Sequence, residues 1–401
     1  MDERVVVTGL GVVSPLGRGV EENWKNLVGA APCGCPKSGI DESKCDCGRA
    51  RGPAPTISNG FNRARELSRL AATEALCDAG LWDGHSLQNT ERDGVGCTVS
   101  ASKPFLSAGA QLGSGLKMHH FSAKRALTPV VHSPDEILRF VREQFGLRGD
   151  SRNVIAACAT GAYSIALGAS WIEQGLCDIV LAGSVEPYPH PLIEAGFSQM
   201  GVTSSDGVTR PFDRHRSGFT FGEGAGVVVL ESAAHASRRQ IRVLARLSGW
   251  ALGADAHSAV AFNSNGARIA EVISRALGRS GLSKEKVRHI HAHGTATRLN
   301  DRIETQALLK AFGPHAERLM ISASKASTGH LLGASGSVAF IFTVLALRHQ
   351  FVPPTATLVN PDPQCPLDYT PRTGRAAAFE HALSLSFGFG GPIGALVVSS
   401  S

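Results

Sequence analysis

Two segments of the chain repeat one layout of buried strand, tight turn and helix rich in small residues. In the first segment the pattern predicts a strand at residues 153–157, a turn at 158–161 and a helix at 162–174. The second segment has the same order, with a strand at 320–323, a polar turn at 324–329 and a helix at 330–347. A reactive side chain lies at each turn, so the repetition predicts a duplicated α/β architecture with a site where the strands end.

The rest of the chain fits one large α/β unit. Further strands are predicted at 4–13, 95–100, 179–182, 226–230, 289–293 and 396–399, and further helices at 65–79 and 134–145. The 401 residues are 43% hydrophobic and 18% charged, which is enough apolar material for a large core and too balanced for disorder. We expect an N-terminal half at 1–238 and a C-terminal half at 239–401.

Charge and hydropathy exclude several classes of partner. The formal charge of +6 is mild and the basic residues are scattered, so we expect no nucleic-acid binding. The longest apolar run, residues 338–347, is shorter than the ~18 residues that span a bilayer, which predicts a buried helix and no membrane association. Residues 1–4 carry both charge signs and lead into a strand, unlike a signal peptide, so we expect a cytoplasmic protein.

Nine cysteines, an odd number, argue against a disulfide framework. Four of them, Cys33, Cys35, Cys45 and Cys47, form two Cys-x-Cys pairs within fifteen residues. Four thiols so close could bind Zn²⁺ tetrahedrally, but Cys-x-Cys is a poorer chelating spacing than Cys-x-x-Cys. A loop without metal is the preferred interpretation, and zinc is the alternative.

Cys158 is the strongest candidate nucleophile on position alone. It lies between a predicted strand and a predicted helix, where the helix N-terminus favours a thiolate. Small neighbours leave room for a sharp turn and for a substrate. A buried structural cysteine is the alternative, and it is the interpretation that we adopt for Cys77, Cys97, Cys177 and Cys365.

Two histidines strengthen the prediction that Cys158 is catalytic. His293 ends the predicted strand 289–293, and Thr295 and Thr297 follow it with a period of two. His330 opens the second predicted helix, five residues after Lys325. One thiol and two imidazoles, each at the end of an element, form a plausible set for covalent catalysis.

Six segments, in order along nearly the whole chain, resemble the motifs of beta-ketoacyl-[acyl carrier protein] synthases. The segment AACATGAYSIALGA resembles their nucleophile motif, HAHGTAT with Asp301 and Glu304 their first histidine motif, and SKASTGHLLGASG their second. The other three are VVVTGLGVVSPLG, RPFDRHRSGFTFGEGAGVVVLE and SFGFGG. The resemblance is closest to the elongating KAS I/KAS II branch, since the initiating branch pairs its cysteine with one His and one Asn.

The resemblance implies a thiolase fold with α-β-α-β-α layers, a homodimer and a ping-pong reaction without a tightly bound cofactor. An acyl chain moves from the phosphopantetheine of acyl carrier protein to Cys158. Malonyl-acyl carrier protein then loses carbon dioxide, and its enolate attacks the thioester. His293 and His330 would stabilise the enolate, and the N–H groups of Cys158 and Phe389 would form the oxyanion hole.

The resemblance also implies the supporting roles. Lys325 would order the site electrostatically with Glu304, near His330, and Asp301 would add structural support. Thr295 and Thr297 would hold the pantetheine arm, and Phe389 would gate the acyl pocket. A set of arginines could receive the acidic carrier protein, although a solvated helix face is an equal alternative for the first three: Arg63, Arg65, Arg69 and Arg210.

The chain departs from the family pattern near the predicted pocket. Leu385 precedes Ser386 where relatives usually have Asn, Pro392-Ile393 replaces Thr-Asn, and Val260 replaces a Thr that contacts pantetheine. Residues 100–133 lack the usual Gly-rich pattern. These departures favour a specialised pathway with an unusual acyl chain.

Two other functions remain open on the sequence. One is an acyltransferase or hydrolase that uses Cys158 without condensation, which the retention of two histidines argues against. The other is a partner subunit like a chain-length factor, which typically lacks the cysteine. The chain could still be the catalytic subunit of a heterodimer.

Overall fold

The computed structural model describes residues 5–31, 60–88, 90, 94–103 and 133–401. Its strands are β1 Val5–Ser14, β2 Gly17–Arg18, β3 Val95–Cys97, β4 Ser100–Ala101, β5 Ile179–Glu186, β6 Gly224–Ser232, β7 Ala245–Ala254, β8 His289–His291, β9 Met320–Ser322, β10 Phe351–Val352, β11 Arg375–Ala376, β12 His381–Phe387 and β13 Pro392–Ser399. Its helices are α1 Val20–Val28, α2 Gly60–Asp78, α3 Glu136–Phe145, α4 Thr160–Glu173, α5 Pro191–Gln199, α6 Ala233–Arg238, α7 Ala267–Ser280, α8 Arg298–Phe312, α9 Lys325–Thr328 and α10 Ser335–His349.

One sheet runs through the molecule in the order β3-β5-β6-β1-β7-β13-β12-β8-β9, with β2 on β1 and β4 on β5. At its centre β1 and β7 pair antiparallel. Outward from this pair, each side adds two antiparallel strands and then parallel ones: β6, β5 and β3 on one side, β13, β12, β8 and β9 on the other. The mirrored order confirms the duplicated α/β architecture. The division at residue 238 stays a prediction, because the sheet is continuous.

The helices lie in three layers around the two halves of the sheet. Helices α4 and α10 contact strands of both halves, whereas α2 contacts mainly β1, β6 and β5 and α7 contacts β7 and β13. Separate apolar clusters fill the spaces: one under α2, one around α4 and α10, and one under α7 and α8. The arrangement is therefore the α-β-α-β-α layering expected.

Small residues let the two central helices touch at their N-terminal ends. A Cβ on Gly161 would lie 2.3 Å from the Ser337 nitrogen, and one on Gly336 would lie 2.7 Å from the Ala162 nitrogen. Both distances are shorter than any real contact, so only glycine allows this approach. The contact brings the two repeated turns, and the reactive residues on them, to the same place.

Several predicted elements differ in the structure. The polar turn predicted at 324–329 contains α9, and the strand predicted at 289–293 ends at His291, two residues before His293. The predicted strand at 153–157 is absent, and only a bridge between Ser151 and Cys97 remains. Its backbone is satisfied by side chains instead: Val154 N–H donates to Ser100 Oγ (2.9 Å) and Ala156 N–H donates to Thr160 Oγ1 (3.0 Å). The helix predicted from His330 begins only at Ser335, because residues 332–334 form a 3₁₀ turn first.

One apolar helical segment among the described residues is internal. Residues Leu332–His349 are long and apolar enough to cross a membrane by length and composition, yet 89% of them are buried. They contact strands of both sheet halves, so the segment is a core helix. The buried helix expected at 338–347 is confirmed.

Candidate active site

The nucleophile lies on a 3₁₀ turn that leads into α4. This turn spans Ala157–Ala159, and Ala157 has a φ of 48°, a strained value for a residue with a side chain. Thr160 Oγ1 accepts from Ala156 N–H and donates to the Ala157 carbonyl (2.8 Å), which fixes the turn. Cys158 is 3% exposed and packs in an apolar cluster with Leu332 and three phenylalanines.

The groups around Cys158 shift the pKa of its thiol in opposite directions. Burial raises the pKa of the thiol, and the positive charges of Lys103 and Lys325 lower it, while Glu186 raises it further. Burial of a thiol disfavours the thiolate and neighbouring ammonium groups favour it; here burial has the larger effect, so the pKa of Cys158 lies above its ordinary value. The two lysines therefore matter to the reactivity of Cys158.

His330 is held so that its Nε2 carries the proton. Its Nδ1 accepts from Leu332 N–H (3.2 Å) and lies 2.9 Å from Ser335 Oγ. A nitrogen that accepts from a backbone N–H has no hydrogen of its own, so a neutral ring is protonated at Nε2. Burial, Lys325 and Lys103 lower the pKa of His330 well below its usual value, which keeps the ring neutral. His330 thus offers one N–H donor.

His293 is held by charged groups on both sides of its backbone. Lys325 donates its ammonium to the His293 carbonyl, and its Nζ lies 3.4 Å from His293 Nδ1. Glu304 accepts from His293 N–H (2.7 Å) and Gly294 N–H (2.8 Å). Burial and the charge of Lys325 lower the pKa of His293, so this ring is neutral too. An ammonium facing Nδ1 leaves Nε2 as the donor.

Lys325 and Glu304 act on the same histidine from two sides. Burial lowers the pKa of Lys325 to about 8, and burial raises the pKa of Glu304 to about 7. The residues that the structure describes show no direct ion pair between them; their link runs through His293. Lys325 contacts the carbonyl and the ring of His293, whereas Glu304 binds its backbone N–H, and the opposite charges of the two also attract each other.

Residues of the predicted site line a cavity of about 380 Å³. Six of the residues singled out in the sequence line it: Cys158, His293, Thr295, Thr297, His330 and Phe389. The rings of the two histidines are 5.8 Å apart and nearly perpendicular. The cavity thus places one thiol and two neutral N–H donors around one volume, which suits stabilisation of an anion next to a thioester.

The loop with Phe389 lies against the nucleophile turn. A Cβ on Gly388 would be 2.8 Å from the Ala156 carbonyl and 3.1 Å from the Ala157 Cβ. Gly388 N–H donates to the Pro392 carbonyl (2.9 Å), so the unusual proline closes this loop. Among the described residues no partner takes the Phe389 N–H, which is the condition for an oxyanion donor.

Thr295 and Thr297 line the cavity on one side. Their hydroxyl oxygens are 3.0 Å apart, and Thr297 Oγ1 accepts from Asn300 N–H as the N-cap of α8. Val260 is 55% exposed at the same cavity. The cavity mouth also includes the exposed side chains of Met200 and Leu299.

The four arginines expected to dock a carrier protein differ in what they contact. Arg63 is nearly buried and pairs with Glu223 at 2.7 Å. Its docking role stays a prediction. Arg65 pairs with Glu136 (2.6 Å) and Arg210 with Asp206 (2.6 Å). Arg69 is exposed on α2.

Several residues of the site were not identified from the sequence. Asp301 was expected as support, and it accepts from Phe212 N–H (2.7 Å) and Ala296 N–H (3.1 Å), but its cation Arg216 was missed. Arg216 is buried and lies in the segment RPFDRHRSG, whose match could have identified it. Lys103 and Glu186 were missed because nothing in their local sequence distinguishes them.

The possible zinc ligands Cys33, Cys35, Cys45 and Cys47 lie outside the described residues, as does residue range 104–132 of the divergent segment. Within the ranges that the structure describes, no group of three His, Cys, Asp or Glu side chains is arranged to hold a metal ion. The described cysteines are free thiols. The zinc hypothesis therefore stays a prediction.

Comparison with known families accounts for this geometry. Residues 59–236 match the N-terminal domain of beta-ketoacyl synthase, and residues 244–359 match its C-terminal domain. The 3-oxoacyl-[acyl-carrier-protein] synthase 2 of Coxiella burnetii is 32% identical over 99% of this chain and 98% of its own. This chain belongs to the beta-ketoacyl synthase family. It is a condensing acyltransferase by family, as the motifs implied.

Polyketide enzymes are similar to the same extent. The tetracenomycin polyketide synthase ketoacyl synthase alpha subunit of Streptomyces glaucescens is 32% identical over 97% of this chain and 95% of its own. A chain of a type II PKS acyl-carrier protein complex with its ketosynthase matches at a TM-score of 0.89 and 27% identity over the whole of both chains. The ishigamide ketosynthase/chain length factor matches at 0.87 and 29%, also over the whole of both. The beta-ketoacyl synthase described here thus has the thiolase fold.

Proposed function

We propose that this chain condenses an acyl group, carried as a thioester on Cys158, with a malonyl group on acyl carrier protein, and releases carbon dioxide and beta-ketoacyl-acyl carrier protein. One observation carries the proposal: Cys158, His293 and His330 line a single cavity, and both rings are neutral with Nε2–H as their donor. Acyl transfer alone does not require two such donors. An enolate, with its charge on one oxygen, does.

The residues divide the reaction into two steps. The thiolate of Cys158 attacks the incoming thioester, and the N–H groups of Cys158 and Phe389 receive the oxyanion before the carrier thiolate leaves. In the second step the malonyl carboxylate leaves as carbon dioxide, and its bonding electrons form an enolate that accepts from His293 and His330. The enolate carbon attacks the thioester and releases the thiolate of Cys158. Lys325 and Glu304 hold His293, and Thr295 and Thr297 contact the pantetheine arm.

Acyl carrier protein is the proposed partner, and the phosphopantetheine that it carries is the only prosthetic group that the reaction needs. Similarity to a ketosynthase solved with its acyl-carrier protein supports this partner. Arg69, exposed on α2, is the docking residue that the structure favours among those expected. We propose a homodimer in the cytoplasm. A heterodimer is the alternative, since the ishigamide ketosynthase/chain length factor is equally similar.

Mass spectrometry tests the proposal. Incubation with acyl-acyl carrier protein should leave an acyl adduct on Cys158 and on no other cysteine. Cys158→Ala should abolish condensation. His293→Ala and His330→Ala should still be acylated but should lose malonyl decarboxylation by at least about 100-fold, as expected when one donor to an oxyanion is removed.

Two results would overturn the proposal. Elongation by the Cys158→Ala protein would exclude the covalent mechanism. Release of free acid or simple acyl exchange, without a beta-keto product, would favour the hydrolase or acyltransferase alternative. A panel of acyl-acyl carrier proteins scored for elongation would also test the expectation of an unusual acyl chain.

A further inference from the structure

Lys103 belongs to a hydrogen-bonded chain that ends at the turn of His330. Its ammonium donates to Ser102 Oγ (2.8 Å), and this hydroxyl donates to the carboxylate of Glu186. The same carboxylate oxygen accepts from Gly333 N–H (3.1 Å). The chain therefore runs from a half-buried lysine, through a buried carboxylate, to the 3₁₀ turn Leu332–Ala334.

That turn contacts both reactive residues. Leu332 packs against Cys158, and its N–H donates to His330 Nδ1. The fit is tight: a Cβ on Gly333 would lie 2.4 Å from Glu186 Oε2 and 2.6 Å from the Ser102 Cβ. Ser102, Glu186 and the turn form one packed unit, and the ammonium of Lys103 is hydrogen-bonded to this unit through Ser102.

We propose that Lys103 is a second cation of the active site, a positioning residue that favours the thiolate of Cys158 and the neutral form of His330. The proposal rests on the proposed function, whose reactive thiol it concerns. The structure gives the ammonium no partner besides Ser102 among the described residues, so its charge is not cancelled by a direct ion pair. A positive charge next to a thiol stabilises the thiolate and opposes protonation of an imidazole.

The charged groups that act on Cys158 come from three parts of the fold. Lys103, from the segment after β4, and Lys325, from α9, favour the thiolate, and Glu186, from β5, opposes it. His293 and His330 are neutral and add no charge. Lys325 supports His293 directly, whereas Lys103 has no contact with that ring, so the two cations have separable effects.

Alkylation of Cys158 by iodoacetamide, followed as a function of pH on the Cys158 peptide, tests the proposal without any carrier protein. Lys103→Met should move the alkylation midpoint to higher pH and slow the reaction near neutrality roughly three- to tenfold, since each pKa unit is tenfold in thiolate. Lys103→Arg keeps the charge and should restore the profile. Lys310→Met, which removes an exposed lysine of α8, is the matched control and should match the wild type.

Lys103→Gln separates charge from packing, because it keeps a donor for Ser102 and loses the charge. It should behave as Lys103→Met does. The proposal fails if Lys103→Met matches the wild type, or if Lys103→Gln does so while Lys103→Met does not. A shifted alkylation profile in a protein that does not condense would instead overturn only the proposed function.

Discussion

At the scale of single residues, hydrogen bonds to the two histidines decide the chemistry. Leu332 N–H fixes Nδ1 of His330 as an acceptor, and the ammonium of Lys325 faces Nδ1 of His293. Each ring therefore offers Nε2–H, although the two are held by different means. A backbone donor is always present, but an ammonium depends on pH.

The activity should consequently depend on the protonation of Lys325. Burial lowers the pKa of Lys325 to about 8, so the ammonium loses its proton as the pH rises through that value. We expect malonyl decarboxylation, measured as acetyl-acyl carrier protein by mass spectrometry, to fall above about pH 8. In Lys325→Arg the guanidinium stays charged, and this alkaline loss should disappear even if the rate is lower. An unchanged alkaline loss in Lys325→Arg would contradict the assignment.

Glu304 should matter to stability as well as to activity. Both of its oxygens accept backbone N–H groups, and an amide at this position can accept with only one. We expect Glu304→Gln to lower the free energy of unfolding by about 1–3 kcal/mol, because one buried N–H is left unsatisfied. Urea denaturation measures the change. Glu317→Gln, at an exposed position, is the control and should leave the midpoint unaltered.

At the scale of elements, the close approach of α4 and α10 positions the site. Gly161 and Gly336 bring the first turns of these helices together, and the Cys158 and His330 turns precede those helices. The repeated pattern of strand, turn and small-residue helix was visible in the sequence. The contact between the two copies, which the small residues allow, was not visible in the sequence.

Gly336→Ala tests this contact. Its Cβ would lie 2.7 Å from the Ala162 nitrogen, a backbone atom that cannot rotate away. We predict a loss of about 1–3 kcal/mol in the free energy of unfolding, as for other overpacked cores. Gly278→Ala in α7 is matched to it, since nothing lies within 4 Å of the added Cβ, and it should be neutral or stabilising by up to ~1 kcal/mol. Equal effects at both positions in urea denaturation would show that the contact is unimportant.

At the scale of the whole molecule, the surface arginines have to be separated into docking and structural residues. Arg63 neutralises Glu223, whose side chain is 3% exposed, whereas Arg69 on the same helix is exposed. Sequence position alone could not separate them, because both arginines lie on α2. Burial decides it.

Arg69→Glu should raise the KM for acyl-acyl carrier protein roughly three- to tenfold, with a smaller effect at high salt, because surface charges mainly guide encounter. Steady-state kinetics at two salt concentrations measure it. Arg275→Glu, exposed on α7 in the opposite outer layer, should not change KM. If Arg69→Glu also left KM unchanged, α2 would not be the docking surface.

Arg63→Met should behave differently from the docking variants. It removes the partner of a buried carboxylate, so we expect the free energy of unfolding to fall by roughly 1–3 kcal/mol, with KM little changed in the protein that remains folded. Thermal denaturation and the same kinetics distinguish the two effects. A raised KM at normal stability would return Arg63 to the docking surface.

The repeated layout, the duplicated architecture and the reactive residues of the cavity could be predicted from the sequence. These are local signals: a thiol between strand and helix, histidines at element ends, and motifs whose order matched a family. The prediction from sequence was wrong where tertiary contacts overrode the local preference for a strand. Residues 153–157 have the pattern of a strand, yet hydroxyls of Ser100 and Thr160 take their backbone donors.

The charges that act on Cys158 became visible only once the chain was folded. Lys103 and Glu186 are far from the nucleophile in the sequence and belong to no motif, yet the packing of β4, β5 and the turn at 332–334 brings them to it. Burial also lowers the pKa of both histidines and places Arg63 against the buried carboxylate of Glu223. Electrostatic effects depend on distance and dielectric environment, and a linear pattern of residues specifies neither until the chain has folded.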